Sequence, residues 1–304
     1  MITLLSSDAA GQIDGTAMSN LYGHLPKGDD LTAVPVSYVP NYRFNPELER
    51  VKTPIVVFDF LEYFNFHNHR THLLGTGDLP RNMADSPEWQ KLHEFFQARP
   101  IHRYFKRELF AHDAPEGALP LEWPCYMEAW PREDKANFDS RKFPVFNCWG
   151  HSSSARPRFH SGVYELMAEG KVDVCSSWDQ LEAFPGGWIS LHTPSSHRRH
   201  YNEILLWQSR SKTSITLPGS GVKCFRSTES PVNSIPVMAD DDCRWSIPWV
   251  HGENCLRVGA HAPAHDLSGF IDSLPLHQIY LNAQDTVDRY RTQRYIHEYI
   301  IPNL

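Results

Sequence analysis

The chain has 304 residues, 41% of them hydrophobic and 21% charged, enough apolar content for a sizeable core and too much for wholesale disorder. Its length suits about two domains of roughly 150 residues each. Lysine and arginine number 29 against 36 aspartates and glutamates, a net charge of −7 with neutral histidines, which excludes a surface basic throughout but not one basic cleft.

No apolar run approaches the roughly 18 residues of a membrane span. The opening MITLLSSDAAGQIDG meets Asp8 with no basic leader before it, so a cytoplasmic protein is expected. The cysteines (Cys125, Cys148, Cys175, Cys224, Cys243 and Cys255) form no C-x-x-C pair and suit buried thiols in a reducing compartment. In the first half, residues 2–6, 33–39 and 55–60 read as strands. The last lies in PIVVFDF, a continuous apolar run that suits a parallel strand covered on both faces. Residues 16–25 and 86–98 read as helices, the second opening on Ser-Pro-Glu. A stretch richer in proline and charge follows, and a linker is expected at 137–142.

The second half alternates more cleanly. Strands are expected at 144–150, 172–176, 214–217, 235–238 and 255–258, with helices at 156–169 and 201–208, a helix start at 227–229, and a long helical pattern over 276–301. Such alternation means βαβ units and open parallel sheets. The expected fold is therefore α/β, two Rossmann-like domains facing a cleft. Residues 1–142 would form the first, residues 143–280 the second, and residues 281–304 a terminal helix packing back on the first. Ligands of such sheets bind beyond the carboxyl ends of the strands.

The segment SKTSITLPGSGVKCFRSTESPVNSIPV (211–237) reads as a buried strand, a glycine turn and a helix start bearing Arg226 and Glu229. Backbone N–H groups exposed at such a turn favour phosphate, an arginine adds a bidentate clamp, and a carboxylate can accept from ribose hydroxyls. A tight strand-to-helix turn explains Gly219 and Gly221 equally well. FPVFNCWGHSSSARPRFHSG (143–162) offers a second strand followed by Gly150, His151, a run of serines and Arg156, where close backbone approach and phosphate neutralisation are both open. A solvated loop accounts for the same residues.

The strand, the Pro-Gly-Ser-Gly turn, R-x-x-E and the following I-P-V strand together resemble the C-terminal domain of GT-B glycosyltransferases, nearest to the exostosin-like and family-1-like groups. The resemblance extends loosely from about Phe143 to the C-terminus; the first half shares only the architecture and the run YFKREL (104–109). It implies a nucleotide-sugar donor, UDP-sugar favoured, held by Gly150, His151, Arg156, Gly219, Gly221, Arg226 and Glu229, with no cofactor or metal. Retaining members often carry a second glutamate eight positions before the ribose-binding one. Gly221 stands there, which favours inversion.

An acceptor hydroxyl must lose its proton as it attacks, and a carboxylate or histidine can take it. The loop DAAGQIDG places Asp14 and Asp8 beyond the first strand, and Asp14 is the expected base; it would serve equally as a helix N-cap. Asp240, Asp241 and Asp242 follow a strand and suit either sugar hydroxyls or a charged turn. The cluster His67, His69 and His72 lacks an H-E-x-x-H pattern and reads as a polar loop rather than a zinc site. The resemblance makes a glycan the default acceptor. Compact phage enzymes that modify hydroxylated or hydroxymethylated pyrimidine bases in DNA are the alternative, working in host cytoplasm, with basic stretches near 99–107, 156–158 and 198–199 to meet phosphates. A catalytically inactive nucleotide-binding module of the same fold is a third reading.

Overall fold

The computed structural model describes residues 2–9, 21, 23–36, 41–60, 86–114, 116–122, 137–149, 155–171, 174–175, 188–192, 206–218, 223 and 226–304. The chain divides into two compact units. One holds Met1–Tyr126, Asp242–Pro248 and Tyr290–Leu304, the other Met127–Asp241 and Trp249–Arg289. The division thus falls at Tyr126 and Met127 rather than at 142, and the chain passes from unit to unit more than once.

The first unit is built on β1 (Ile2–Leu4), β2 (Leu31–Val36), β3 (Ile55–Asp59), β4 (Ile101–Lys106) and β5 (Ala118–Pro120). They lie side by side in chain order and every pair is parallel. A parallel sheet that advances in one direction by right-handed crossovers carries its connections on one face. That face is plain in the packing. Val34, Val57 and Tyr104 meet Leu48, from a short 3-10 turn, and Trp89, Leu92, Phe95 and Phe96 of helix α1 (Pro87–Gln97). The four α1 residues recur at helical spacing, and proline opens the helix where its missing N–H costs nothing.

The opposite face would otherwise meet water with Val56, Phe58 and Phe105, all fully buried. It is covered by the end of the chain. Tyr299 lies edge-on to Phe105 with ring centroids 6.4 Å apart, and donates a hydrogen bond to the Pro120 carbonyl at 2.9 Å. Glu122 ties this covering down: its carboxylate accepts from Tyr295 Oη at 2.9 Å, from the Ser246 N–H at 2.9 Å and from Ser246 Oγ. One buried carboxylate therefore joins three separate stretches of the first unit.

The second unit contains β6 (Phe143–Trp149), helix α2 (Ala155–Ala168), β7 (Val174–Cys175), β8 (Trp188–His192), β9 (Ser211–Ile215), the four-residue turn α3 (Arg226–Glu229), β10 (Ile235–Ala239), β11 (Leu256–Val258), helix α4 (Pro263–Ser273) and helix α5 (Leu276–Arg289). Its sheet is also wholly parallel, in the order β11-β10-β9-β6-β8-β7. Residues 137–142, expected as a linker, belong to this unit's core instead. Phe138 is fully buried, and the Arg141 guanidinium lies over the Phe138 and Tyr280 rings at 4.9 and 4.6 Å while donating to the carbonyls of Ser211 (2.9 Å) and Asn233. A charge in the sequence thus marks a stacked, hydrogen-bonded arginine.

The helical pattern expected over 276–301 is broken. Arg291 is extended (φ −58°, ψ 136°), and beyond it come α6 (Thr292–Tyr295), a π turn (Ile296–Ile300) and a 3-10 turn (Ile301–Asn303). Neither proline nor glycine causes the break. It falls where the chain leaves the second unit's core for the first unit's, so tertiary burial overrides the local period. Among the described residues no helix is long and apolar enough to cross a membrane.

Candidate functional site

In the second sheet the strand order reverses between β6 and β9. Connections from β6 lead towards β8 and β7, while those from β9 lead towards β10 and β11. The two strands are neighbours in parallel register, Val145 opposite Thr213 and Phe146 opposite Ser214. Chains that leave such a pair in opposite directions open a crevice at the carboxyl ends, where parallel α/β sheets hold their ligands. The two sequence segments read as phosphate loops leave these two strands. Trp149 ends β6 directly before Gly150, and Ile215 ends β9 shortly before Pro218.

Gly150, His151, Gly219, Gly221 and Asp14 themselves lie outside the described residues, as do His67, His69 and His72 and the stretch 198–199. Arg156 is placed in the first turn of α2, and Arg226 and Glu229 open and close α3. One neighbour of the glycine turn escaped the sequence reading: Lys223 is only 1% exposed. A lysine taken out of water needs compensation by partners or anions, and its place just past Gly221 is the signal that was available.

The aspartate run after β10 is divided between two tasks. Asp240 lies 3.9 Å from Arg257, whose guanidinium also donates to the Asp241 and Trp249 carbonyls. Asp242 belongs to the first unit and faces His112. Nearby, burial pushes the Cys255 thiol up to about 12, so it is inert at neutral pH.

In the first unit, Asp8 is a buried side chain. It is 2% exposed, its Oδ1 accepts from the Arg43 N–H at 3.3 Å, and it bridges to Phe44. The carboxyl ends of β3 and β4 carry a buried charged layer. Lys106 Nζ lies 3.1 Å from Asp59 Oδ1, Tyr104 Oη donates to Asp59 Oδ2, and Arg107 Nε is 3.6 Å from Glu108. Burial drives the Lys106 pKa down against the pull of Asp59. The run YFKREL is thus a foundation beneath the sheet edge and not a surface. Just beyond it, His112 and Asp242 form an exposed pair, Nδ1 to Oδ2 at 2.5 Å. Among the described residues no group of three or more His, Cys, Asp or Glu is gathered to hold a metal ion.

No family model matches the sequence, and no curated protein matches it. Solved structures do overlap with it. The alpha,alpha-trehalose-phosphate synthase (UDP-forming) of Burkholderia vietnamiensis is 12% identical, with a TM-score of 0.48 over 94% of this chain and 77% of that one. An alpha-glucosyltransferase in complex with UDP-glucose and DNA containing an abasic site is 9% identical, with a TM-score of 0.43 over 90% and 80% of the two chains. Anabaena HepE, in complex with UDP, is 12% identical, with a TM-score of 0.44 over 90% and 79%. At such identities the overlap concerns the course of the chain and not its chemistry.

Proposed function

We propose that the chain is a GT-B glycosyltransferase that moves a sugar from a UDP-sugar to a hydroxyl acceptor with inversion and without a metal. The observation that carries this reading is the reversal of strand order between β6 and β9, with both phosphate-type loops leaving those neighbouring strands. Backbone amides of the glycine turn, Arg226 and Arg156 would stabilise the charge of the departing diphosphate, and Glu229 would accept from the ribose. The second unit is the donor side and the first unit the acceptor side.

A glycan is the acceptor we favour over DNA. Much of the basic stretch at 99–107 is committed elsewhere. Arg99 donates to the Val51 and Glu49 carbonyls, Arg103 donates to the Asn303 carbonyl at 3.0 Å, and Lys106 and Arg107 are buried. Two of the four lysines and arginines of that stretch, Lys106 and Arg107, are thus withdrawn from a phosphate backbone. Buried cysteines outside any disulfide, Cys243 and Cys255, fit work in a reducing cytoplasm.

The test is donor binding. Arg226→Ala removes a charge-assisted bidentate pair and should weaken UDP binding by about 2–4 kcal/mol where the pair is desolvated. Equal UDP affinity of parent and variant by calorimetry would remove Arg226 from the donor site. Parallel assays with glycan acceptors and with hydroxymethylated DNA decide the acceptor class.

A further inference from the structure

The turn that carries Arg226 and Glu229 cannot hold itself in place. α3 is a single four-residue helical turn that runs straight into a 3-10 turn (Ser230–Val232), and β10 begins at Ile235. Isolated helices shorter than about 12 residues are marginal in water, so contacts with the rest of the fold must fix this one. The segment that makes those contacts is polar. Ser227, Thr228, Ser230, Asn233 and Ser234 are all buried, and between Arg226 and Ser234 only Pro231 and Val232 are apolar.

Hydrogen bonds do the holding. The Ser230 carbonyl accepts from the Asn233 N–H at 3.2 Å, from the Ser234 N–H at 3.0 Å and from Ser234 Oγ at 3.0 Å, and Ser234 Oγ lies 2.6 Å from Ser214 Oγ of β9. The Asn233 carbonyl accepts from Arg141. The Pro231 carbonyl needs a donor from elsewhere. In a continuing helix the N–H four residues on would serve it, but that residue is Ile235, already in β10 opposite Thr213. Gln284 of α5, fully buried, supplies the donor from its side-chain Nε2. Gln208, also buried, turns its Nε2 to Ser230 Oγ at 3.4 Å.

A side-chain amide that faces a carbonyl must present its NH2, so the Gln284 oxygen is turned elsewhere. Oε1 of Gln284 and Oε1 of Gln208 are both buried with no hydrogen-bond partner among the described residues. An unpaired buried oxygen lowers stability. Methionine would fill either place without that loss, but it could not donate to the turn. We propose that Gln284 is a positioning residue of the donor site, with Gln208 as its lesser partner, an inference that rests on the transferase reading above. Gln284 closes the open end of the turn that presents Arg226 and Glu229, and so fixes where those two residues stand. Every group in this seat belongs to the second unit.

Two measurements test this on the intact chain. Without nucleotide, hydrogen exchange should find the amides of residues 230 and 232–235 opening about fivefold faster in Gln284→Met, the worth of one ordinary hydrogen bond. The urea midpoint should barely move, because losing the unpaired Oε1 offsets leaving the Pro231 carbonyl without its donor. By calorimetry UDP should bind Gln284→Met about fivefold more weakly than the parent, and Gln208→Met more weakly by a smaller factor. Gln278→Met, exposed on the same helix, should bind as the parent does. Added to Arg226→Ala or to Glu229→Gln, Gln284→Met should weaken UDP less than it does alone in at least one of the two, since it then has less to place. Losses that multiply in full in both backgrounds, unchanged exchange, or parent affinity beside faster exchange each overturn the proposal and leave the transferase reading standing. If Gln284→Met does not fold, Gln208→Met must show the loss by itself, and parent affinity there overturns the proposal. A parent chain that binds no UDP brings down the transferase reading and the proposal with it.

Discussion

Asp242 shows how one residue's environment can be read as a pH dependence. Burial opposes its ionisation, but the ring and backbone N–H groups of His112 win, so the folded carboxyl binds its proton more weakly than the unfolded one. The stabilisation it lends is then complete at neutral pH and is lost as the pH falls through the lowered folded value. Carbon-detected NMR should find the Asp242 midpoint below the ordinary aspartate value, and His112→Ala should return it towards that value. An unchanged midpoint would mean that His112 does not hold it. The pair is exposed, so its stability contribution is small. Nothing local in the sequence joins its members, which are 130 positions apart. The same holds for Asp59 and Lys106, 47 apart, whose buried layer was visible only as the polar half of YFKREL. Arg226 and Glu229, by contrast, could be proposed from sequence because their spacing and the glycines before them are contiguous.

Helix-to-helix packing gives a paired prediction in which two effects compete. Gly162 of α2 lies so close to α4 that an added methyl would stand 2.9 Å from the Ala264 Cβ. Alanine there gains about 1 kcal/mol of helix propensity but overpacks a fully formed core, a cost of about 1–3 kcal/mol. Gly162→Ala should lower the urea midpoint. Gly269, in the interior of α4, has no atom near a new Cβ, so Gly269→Ala should raise the midpoint by the propensity term alone. If both variants shift the same way, the close contact does not exist. Elements were legible where one burial pattern persisted along them: β3 is buried at all five positions, as its unbroken apolar run implied. The break at Arg291 was not legible, because the apolar period continues across it and only the change of partner core ends the helix.

Strand order decides what each unit requires to be complete. The second sheet reverses its direction and so gathers helices by its own winding. The first advances one way, and residues 290–304 supply the cover that winding leaves out. A chain ending at Arg289 should therefore expose Phe58 and Phe105. In that variant hydrogen exchange should show β3 and β4 amides losing protection while β9 and β10 amides keep theirs. Retained protection in β3 and β4 would show that the covering segment is dispensable.

That covering segment also sets a timetable. A nascent chain usually finishes its domains in the order they emerge from the ribosome. Here β1 to β5 must wait with a greasy face until residues 290–304 are translated, whereas the second unit has all its residues once Arg289 is out. The unit that begins first matures last, and during that interval its exposed phenylalanines are the part of the nascent chain a chaperone would hold.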